Sequence, residues 1–220
     1  LCLVAPERFP ATEATVLAAG ADDVLDRARV FPDVRSAVAD CGFVVGTTAR
    51  SRHLPWRTVE PREAAREIAA ASKASEVAVL FGAERTGLTN DDLELCQALV
   101  TIPTGSVYAS LNVAMAVQVI AYEIRLALRD EPDSGRTAGV PLASARDMQQ
   151  FYLHLEQVLE EIEFRDRTGE GHLMARIRRM FNRVVPDQNE INILRGILTA
   201  VQGKRRRAGD PHATRPAPLP

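Results

Sequence analysis

The sequence predicts an α/β fold built on a parallel sheet, followed by a small all-helical extension. Three observations carry that prediction. Short apolar runs at 1–5, 43–48, 77–81 and 99–102 alternate with helical stretches, as parallel strands joined by crossover helices do. The runs at 43–48 and 77–81 are apolar on both faces, which suits strands covered by helices on either side. From 144 to about 202 the apolar period is helical throughout.

Taken in order, residues 1–5 form an apolar run that Pro6 ends, with no polar lead-in. Residues 11–19 are Ala-rich and helical and close at Gly20, which serves as a C-cap. A short extended piece lies within 24–31, and a small helix over 33–41 stops at Gly42. After the 43–48 strand, the polar stretch 49–56 ends in an apolar anchor, Trp56. Pro61 suits the first turn of a helix over 61–73. Thr89 is placed to N-cap a helix whose Asp91 and Asp92 sit at the positive end of its dipole. The stretch 110–129 predicts a long helix that is apolar nearly all round. Such a helix must pack on the sheet and on something else, for which a second subunit is the preferred partner.

These readings divide the chain into an α/β domain over 1–130, a Pro- and Gly-containing linker over 131–143, a helical unit over 144–202 and a basic, Pro-rich disordered tail over 203–220. Three helices are expected in the extension, over 144–165, 171–183 and 186–201, with Ser144 capping the first and Asp147 three residues on. Its expected core is Leu153, Leu159, Ile162, Phe164, Met174, Ile177, Phe181, Ile191, Ile193, Leu194 and Leu198.

Composition narrows the function. At 220 residues and 46% hydrophobic the chain can bury a real core, and no run is long enough to span a bilayer. The cysteines, Cys2, Cys41 and Cys96, are odd in number and lack metal-ligand spacing, which fits a reducing cytoplasm and no metal. The net charge of −2 hides an asymmetry: residues 1–164 carry 15 basic and 24 acidic side chains, whereas 165–207 carry 11 and 4. A basic end on an acidic body points to a polyanion, against the plainer reading of a solvated helical face.

Two loops hold the candidate chemistry. Gly82-Ala83-Glu84-Arg85-Thr86-Gly87 follows a strand but is no phosphate-cradling Walker loop, because Leu88 and Thr89 stand where Lys and Ser/Thr are required. Its spacing is also wrong for a dinucleotide fingerprint, and by spacing alone it reads as a tight strand–helix turn. Ser110 lacks the context of a nucleophile, and His53, His154, His172 and His212 show no partnering pattern, so a cap on the long helix is the simpler role. Arg50 and Arg52 flank Ser51 and read either as solvated loop residues or as a phosphate clamp. Trp56 could stack a base or anchor its loop, and Glu84 could cap backbone donors.

The segments Val44-Val45-Gly46-Thr47-Thr48-Ala49-Arg50-Ser51-Arg52, Phe81-Gly82-Ala83-Glu84-Arg85-Thr86-Gly87-Leu88 and Ile102-Pro103, with Tyr108-Ala109-Ser110-Leu111-Asn112, together resemble the SpoU-type RNA 2′-O-ribose methyltransferases of the SPOUT superfamily. The similarity covers most of residues 1–130, and the helical part resembles the C-terminal extension of a subgroup that modifies the ribose of nucleotide 32 in the tRNA anticodon loop. The resemblance implies a trefoil knot, an S-adenosylmethionine pocket, a tRNA substrate and a homodimer through the 110–129 helix. It implies cofactor contacts at Thr47, Thr48, Ala49, Gly82, Ile102, Ala109, Ser110 and Leu111, with Glu84 and Asn112 shaping the loops. Arg52 and Ser110 would serve catalysis, and Arg50 and Arg52 would face the RNA; no metal is implied.

The family also carries an Asn and a catalytic Arg on an N-terminal motif that has no counterpart in these residues. The expectation is that the 220-residue chain by itself does not methylate tRNA; clear methyl transfer by the purified protein would refute it. A non-catalytic tRNA-binding dimer and a ribosomal-RNA methyltransferase are the competing expectations.

Overall fold

The computed structural model describes residues 1–49, 56–105, 111–130, 140–164 and 172–208, with the side chains of 130 and 204–208 excepted. At its centre is β3 (Cys41–Thr47), whose middle residues Val44 and Val45 are fully buried. It pairs in parallel with β5 (Glu76–Leu80) on one side and β6 (Ala98–Val100) on the other. A short β4 (Thr58–Val59) pairs in parallel with the outer edge of β6, giving the order β4-β6-β3-β5. Alternation along β3 feeds two cores. Phe43 and Val45 join Val59, Val100, Ile68 and Ile120 on one face, while Val44 joins Val38, Leu88, Leu93, Cys96 and Leu99 on the other.

The first face is closed by α4 (Pro61–Ala71) and α6 (Val113–Asp130), which pack on each other. Pro61 opens α4 where its missing N–H costs nothing, and Ala64, Ala65, Ile68 and Ala69 form the buried stripe. On the other face, α3 (Val34–Ala37) is N-capped by Asp33, whose side chain accepts from Ser36 N. The four-residue α5 (Asn90–Leu93) relies on a capping box: Thr89 and Asp92 each satisfy the other's backbone N–H.

Several expectations change. The 1–5 run forms β1 (Cys2–Val4), but it pairs with β2 (Arg29–Phe31) in a separate two-stranded sheet instead of joining the four-stranded one. Within 24–31 only 29–31 is extended; α1 (Thr12–Leu17) is followed by a second short helix, α2 (Asp22–Asp26). β4 was not legible, because two residues have no period and only pairing of Thr58 with Leu99 and Val59 with Val100 defines it. The long helix starts three residues later than expected. Its cap is Asn112, whose Oδ1 accepts from Ala114 N at 2.8 Å; Ser110, the expected cap, lies outside the described residues.

The helical unit is α7 (Ala145–Glu161), α8 (Leu173–Val184) and α9 (Gln188–Ala208). Ser144 caps α7 as expected, its Oγ accepting from Asp147 N. Helix α9 runs past its expected end at 201 to Ala208, six residues into the expected tail. Met174, Ile177, Phe181, Ile191, Leu194 and Leu198 are in its core, but the α7 stripe is Met148, Phe151, Tyr152, Leu155 and Val158. Leu153, Ile162, Phe164 and Ile193, expected inside, are exposed. On α7 the buried positions repeat at three and four, and Leu153 falls outside that stripe. The unit is tied back where the linker ends: Ala143 N donates to Pro186 O, Gln188 N to Pro141 O, and Leu142 N to Ser75 Oγ.

Candidate active site

Parallel strands direct their C-terminal ends to one edge of the sheet, and loops leaving adjacent strands there diverge and open a crevice. In this chain that edge gathers the ends of β3, β5 and β6 around a cavity of about 590 Å³. The end of β3 is pinned on both sides, because Thr47 Oγ1 donates to Leu80 O at 2.9 Å and Thr48 N donates to Val100 O at 3.0 Å. Thr47, Thr48 and Ala49 form the floor, and Val100, Ile102 and Thr104 follow from β6.

The loop after β5 forms a second wall and folds back on itself. Gly87 N donates to Ala83 O at 2.7 Å, and these two residues form an antiparallel bridge. Each glycine of the loop has its own physical reason. Gly87 has φ +68°, a conformation side chains rarely tolerate. Gly82 is needed for space: a Cβ there would sit 2.2 Å from the Gly87 carbonyl carbon and 2.3 Å from Leu88 N. The third wall is the entry to α6, with Leu111, Asn112, Val113 and Ala116. Asn112 joins two walls, since its Nδ2 donates to Glu84 Oε1 at 3.3 Å while its Oδ1 caps α6.

Thr47, Thr48, Ala49, Gly82, Glu84, Ile102, Leu111 and Asn112, separated by up to 65 positions in the chain, therefore share one cavity. Arg50, Arg52, Ala109 and Ser110 lie outside the described residues. Sequence reasoning missed Thr86, Gly87, Leu88 and Thr104 as lining residues. Gly87 and Thr86 lie inside the quoted loop, and a turn glycine next to a β-branched hydroxyl was the signal available for them.

The lining sets what the cavity can hold. Aliphatic side chains (Leu88, Val100, Ile102, Leu111, Val113) alternate with backbone and hydroxyl groups at Thr47, Thr48, Thr86 and Thr104, a surface for a ligand with one flat apolar part and several polar edges. No cysteine is among the described residues that line the cavity. Cys96 is fully buried with its thiol pushed well above the ordinary range by burial, and burial, reinforced by Glu76, raises Cys41 to about 11. Among the described residues, no cluster of His, Cys, Asp or Glu could hold a metal ion. Trp56 packs with the second core, alongside Leu99 and Leu88, and so acts as the loop anchor.

Comparison with known proteins agrees with this geometry. Residues 1–122 match the SpoU rRNA Methylase family, and residues 146–212 match the C-terminal domain of the tRNA methyltransferase TrmJ. The chain is 44% identical over 206 residues to the tRNA (cytidine/uridine-2′-O-)-methyltransferase TrmJ of Yersinia enterocolitica, covering 92% of this chain and 80% of that protein. It is 46% identical, with the same coverage, to the TrmJ of Sodalis glossinidius. The crystal structure of TrmJ from Z. mobilis ZM4 superimposes with a TM-score of 0.76 at 34% identity, covering 92% of this chain and 86% of that one. With its strand-end cavity in the matched region and its helical unit in the other, the chain belongs to the SpoU methylase family, in the company of the TrmJ enzymes.

Proposed function

We propose that this chain serves S-adenosylmethionine-dependent 2′-O-methylation of a tRNA ribose, at cytidine or uridine 32 of the anticodon loop. The observation that carries the reading is the convergence of three separate sequence segments on the one strand-end cavity, in a chain similar over 92% of its length to proteins named for that reaction. The cavity suits the methyl donor: the backbone around Gly82 and Ile102 reads the adenine and ribose edges, and Leu88, Leu111 and Val113 cover the ring.

When bound, the donor supplies an activated methyl group on a good leaving group. The chain's own residues then have to place the ribose hydroxyl in line and assist loss of its proton. Arg52 and Ser110 are assigned to that side of the site, with Arg50 and Arg52 holding phosphates. Glu84 and Asn112 keep the two loops at a set separation through their shared hydrogen bond. The trefoil knot is supported by the strand order β4-β6-β3-β5 and by the likeness to the Z. mobilis structure.

Helix α6 gives the homodimer its rationale. Val113, Ala116, Ile120 and Ile124 turn inward, while Met115, Val117, Tyr122 and Leu128 are exposed on the remaining surface. Large apolar groups left exposed on two sides of one helix are favourable where a second copy covers them. No described helix is long and apolar enough to cross a membrane, and a tRNA substrate together with three free cysteines supports a cytoplasmic location.

Isothermal titration of the chain with S-adenosylhomocysteine tests the reading, with one site per chain expected. RNA binding without any cofactor binding would favour a non-catalytic RNA-binding module. Affinity for an unmodified tRNA transcript is expected to fall at least ~10-fold between 50 and 200 mM salt, as the basic 165–207 region releases counterions. A salt-independent affinity would remove that region from the RNA interface.

A further inference from the structure

Asn182 is the one buried polar side chain in the core among the described residues, 4% exposed, and it stands on the inward face of α8. Its amide nitrogen reaches across the boundary to the α/β domain, while its oxygen is held within the helical unit by α7. Its Nδ2 donates to Glu94 O at 2.9 Å and to Cys96 O at 3.1 Å, and its Oδ1 accepts from the Tyr152 hydroxyl at 3.1 Å. Tyr152 is itself buried, with the Arg178 guanidinium 4.7 Å over its ring and Arg178 Nε 3.6 Å from the Glu94 carboxylate. A buried amide satisfied on both its ends fixes one relative placement of the groups it joins.

The turn it grips matters to the cavity. Residues 94–97 connect α5 to β6, so they lie between the loop after β5 and the strand that leads to Ile102, which are two walls of the site. The Gln97 side chain accepts from Val44 N at 2.7 Å, and Gln97 N donates to Val44 O. The Cys96 thiol fills the space over Gly46, where a Cβ would come within 2.9 Å of Sγ and 3.2 Å of Leu88. Gly46 directly precedes Thr47 on the cavity floor. Just beyond Asn182, Val185 takes a left-handed backbone (φ +51°) and packs against the core of the α/β domain. A β-branched residue holds that conformation only where surrounding packing imposes it.

Helix α8 therefore has two working faces. Asn182 and Arg178 face the 94–97 turn, whereas Arg176 and Arg183, seven positions apart, are exposed on the same helix.

We infer that Asn182 is a positioning residue that couples RNA held by the basic face of α8 to the shape of the cofactor cavity. The inference rests on the proposed function and adds the regulation of its site: RNA and cofactor bind cooperatively, and the Asn182 contacts transmit the coupling. Cooperativity between two ligands is reciprocal, so either titration measures it.

The test is titration of the chain with S-adenosylhomocysteine, alone and saturated with an unmodified anticodon stem-loop transcript. In the parent chain the RNA is expected to tighten cofactor binding at least ~5-fold. In Asn182→Leu, which strands the Glu94 and Cys96 carbonyls, the factor is expected to fall to within ~2-fold of unity while each ligand alone still binds. Loss of both binary affinities in equal proportion, with coupling intact, would mean a merely structural role and overturn the inference. Should Asn182→Leu fail to fold, Tyr152→Phe removes the hydroxyl that donates to Asn182 Oδ1 and to Arg178 O and leaves the Asn182 bonds to Glu94 and Cys96 in place; an intermediate coupling factor supports the inference and an unchanged one overturns it. A parent chain that binds both ligands independently defeats the coupling alone. A parent chain that binds no cofactor defeats the proposed function and the coupling with it.

Discussion

Gly82→Ala is expected to weaken S-adenosylhomocysteine binding by at least ~100-fold and to lower stability by about 1–3 kcal/mol or more. The new methyl would meet backbone on every near side: Gly87 carbonyl carbon at 2.2 Å, Leu88 N at 2.3 Å and Gly87 Cα at 2.7 Å. No flexible side chain is there to yield, so the whole 82–88 loop must move, and that loop is one wall of the cavity. Two other glycines provide a graded comparison. Gly87→Ala meets no atom within 4 Å but must hold φ +68°, at a cost of about 1–2 kcal/mol. Gly105→Ala meets nothing and has no such backbone constraint, so it should bind cofactor like the parent. Calorimetric titration and thermal unfolding of the three variants give the order. A Gly82→Ala protein that binds as the parent does would show that the loop does not form the wall assigned to it.

Phe151→Ala is expected to cost about 3–5 kcal/mol and to unfold the helical unit at temperatures where the parent holds. Phe151 is 2% exposed, lies edge-on to Phe181 with ring centroids 4.9 Å apart, and touches the ring of Tyr152 at 5.5 Å. Its removal leaves a cavity among aromatic rings that helices α7 and α8 cannot close without repacking. Leu153→Ala, two residues on and 54% exposed, is the control, with an expected change within about 0.5 kcal/mol. Urea unfolding of both variants reads the difference. Equal losses would restore Leu153 to the core and contradict the α7 register.

Much of the architecture was legible because its signals are local. Residues 43–48 and 77–81 are apolar without alternation, and that is what β3 and β5 become between two helical layers. Pro61, Thr89 and Ser144 start helices through the conformation and hydrogen bonding of a single residue, and each does so here. The errors fall where a property belongs to a pair or a face. β4 exists only through its partner β6. On α7, the sequence offers Leu153 and Phe151 as equally apolar, and only packing against α8 and α9 selects Phe151.

The candidate site divides in the same way. By itself the sequence pointed to the candidate loops only through motifs that resemble the SpoU-type enzymes, since by spacing alone the 82–87 loop reads as a tight turn. It could not tell why the two glycines of 82–87 are both glycine. Tertiary structure decided that: one is required by its backbone angle, the other by the Gly87–Leu88 peptide, which occupies the space a Cβ would need. Tertiary structure alone also set the role of Asn182. In the sequence it is one amide in a helix of arginines, and its partners at Glu94 and Cys96 lie more than 80 positions away. Such a contact leaves no periodic trace, because a hydrogen bond to backbone carbonyls is indifferent to the side chains that flank them.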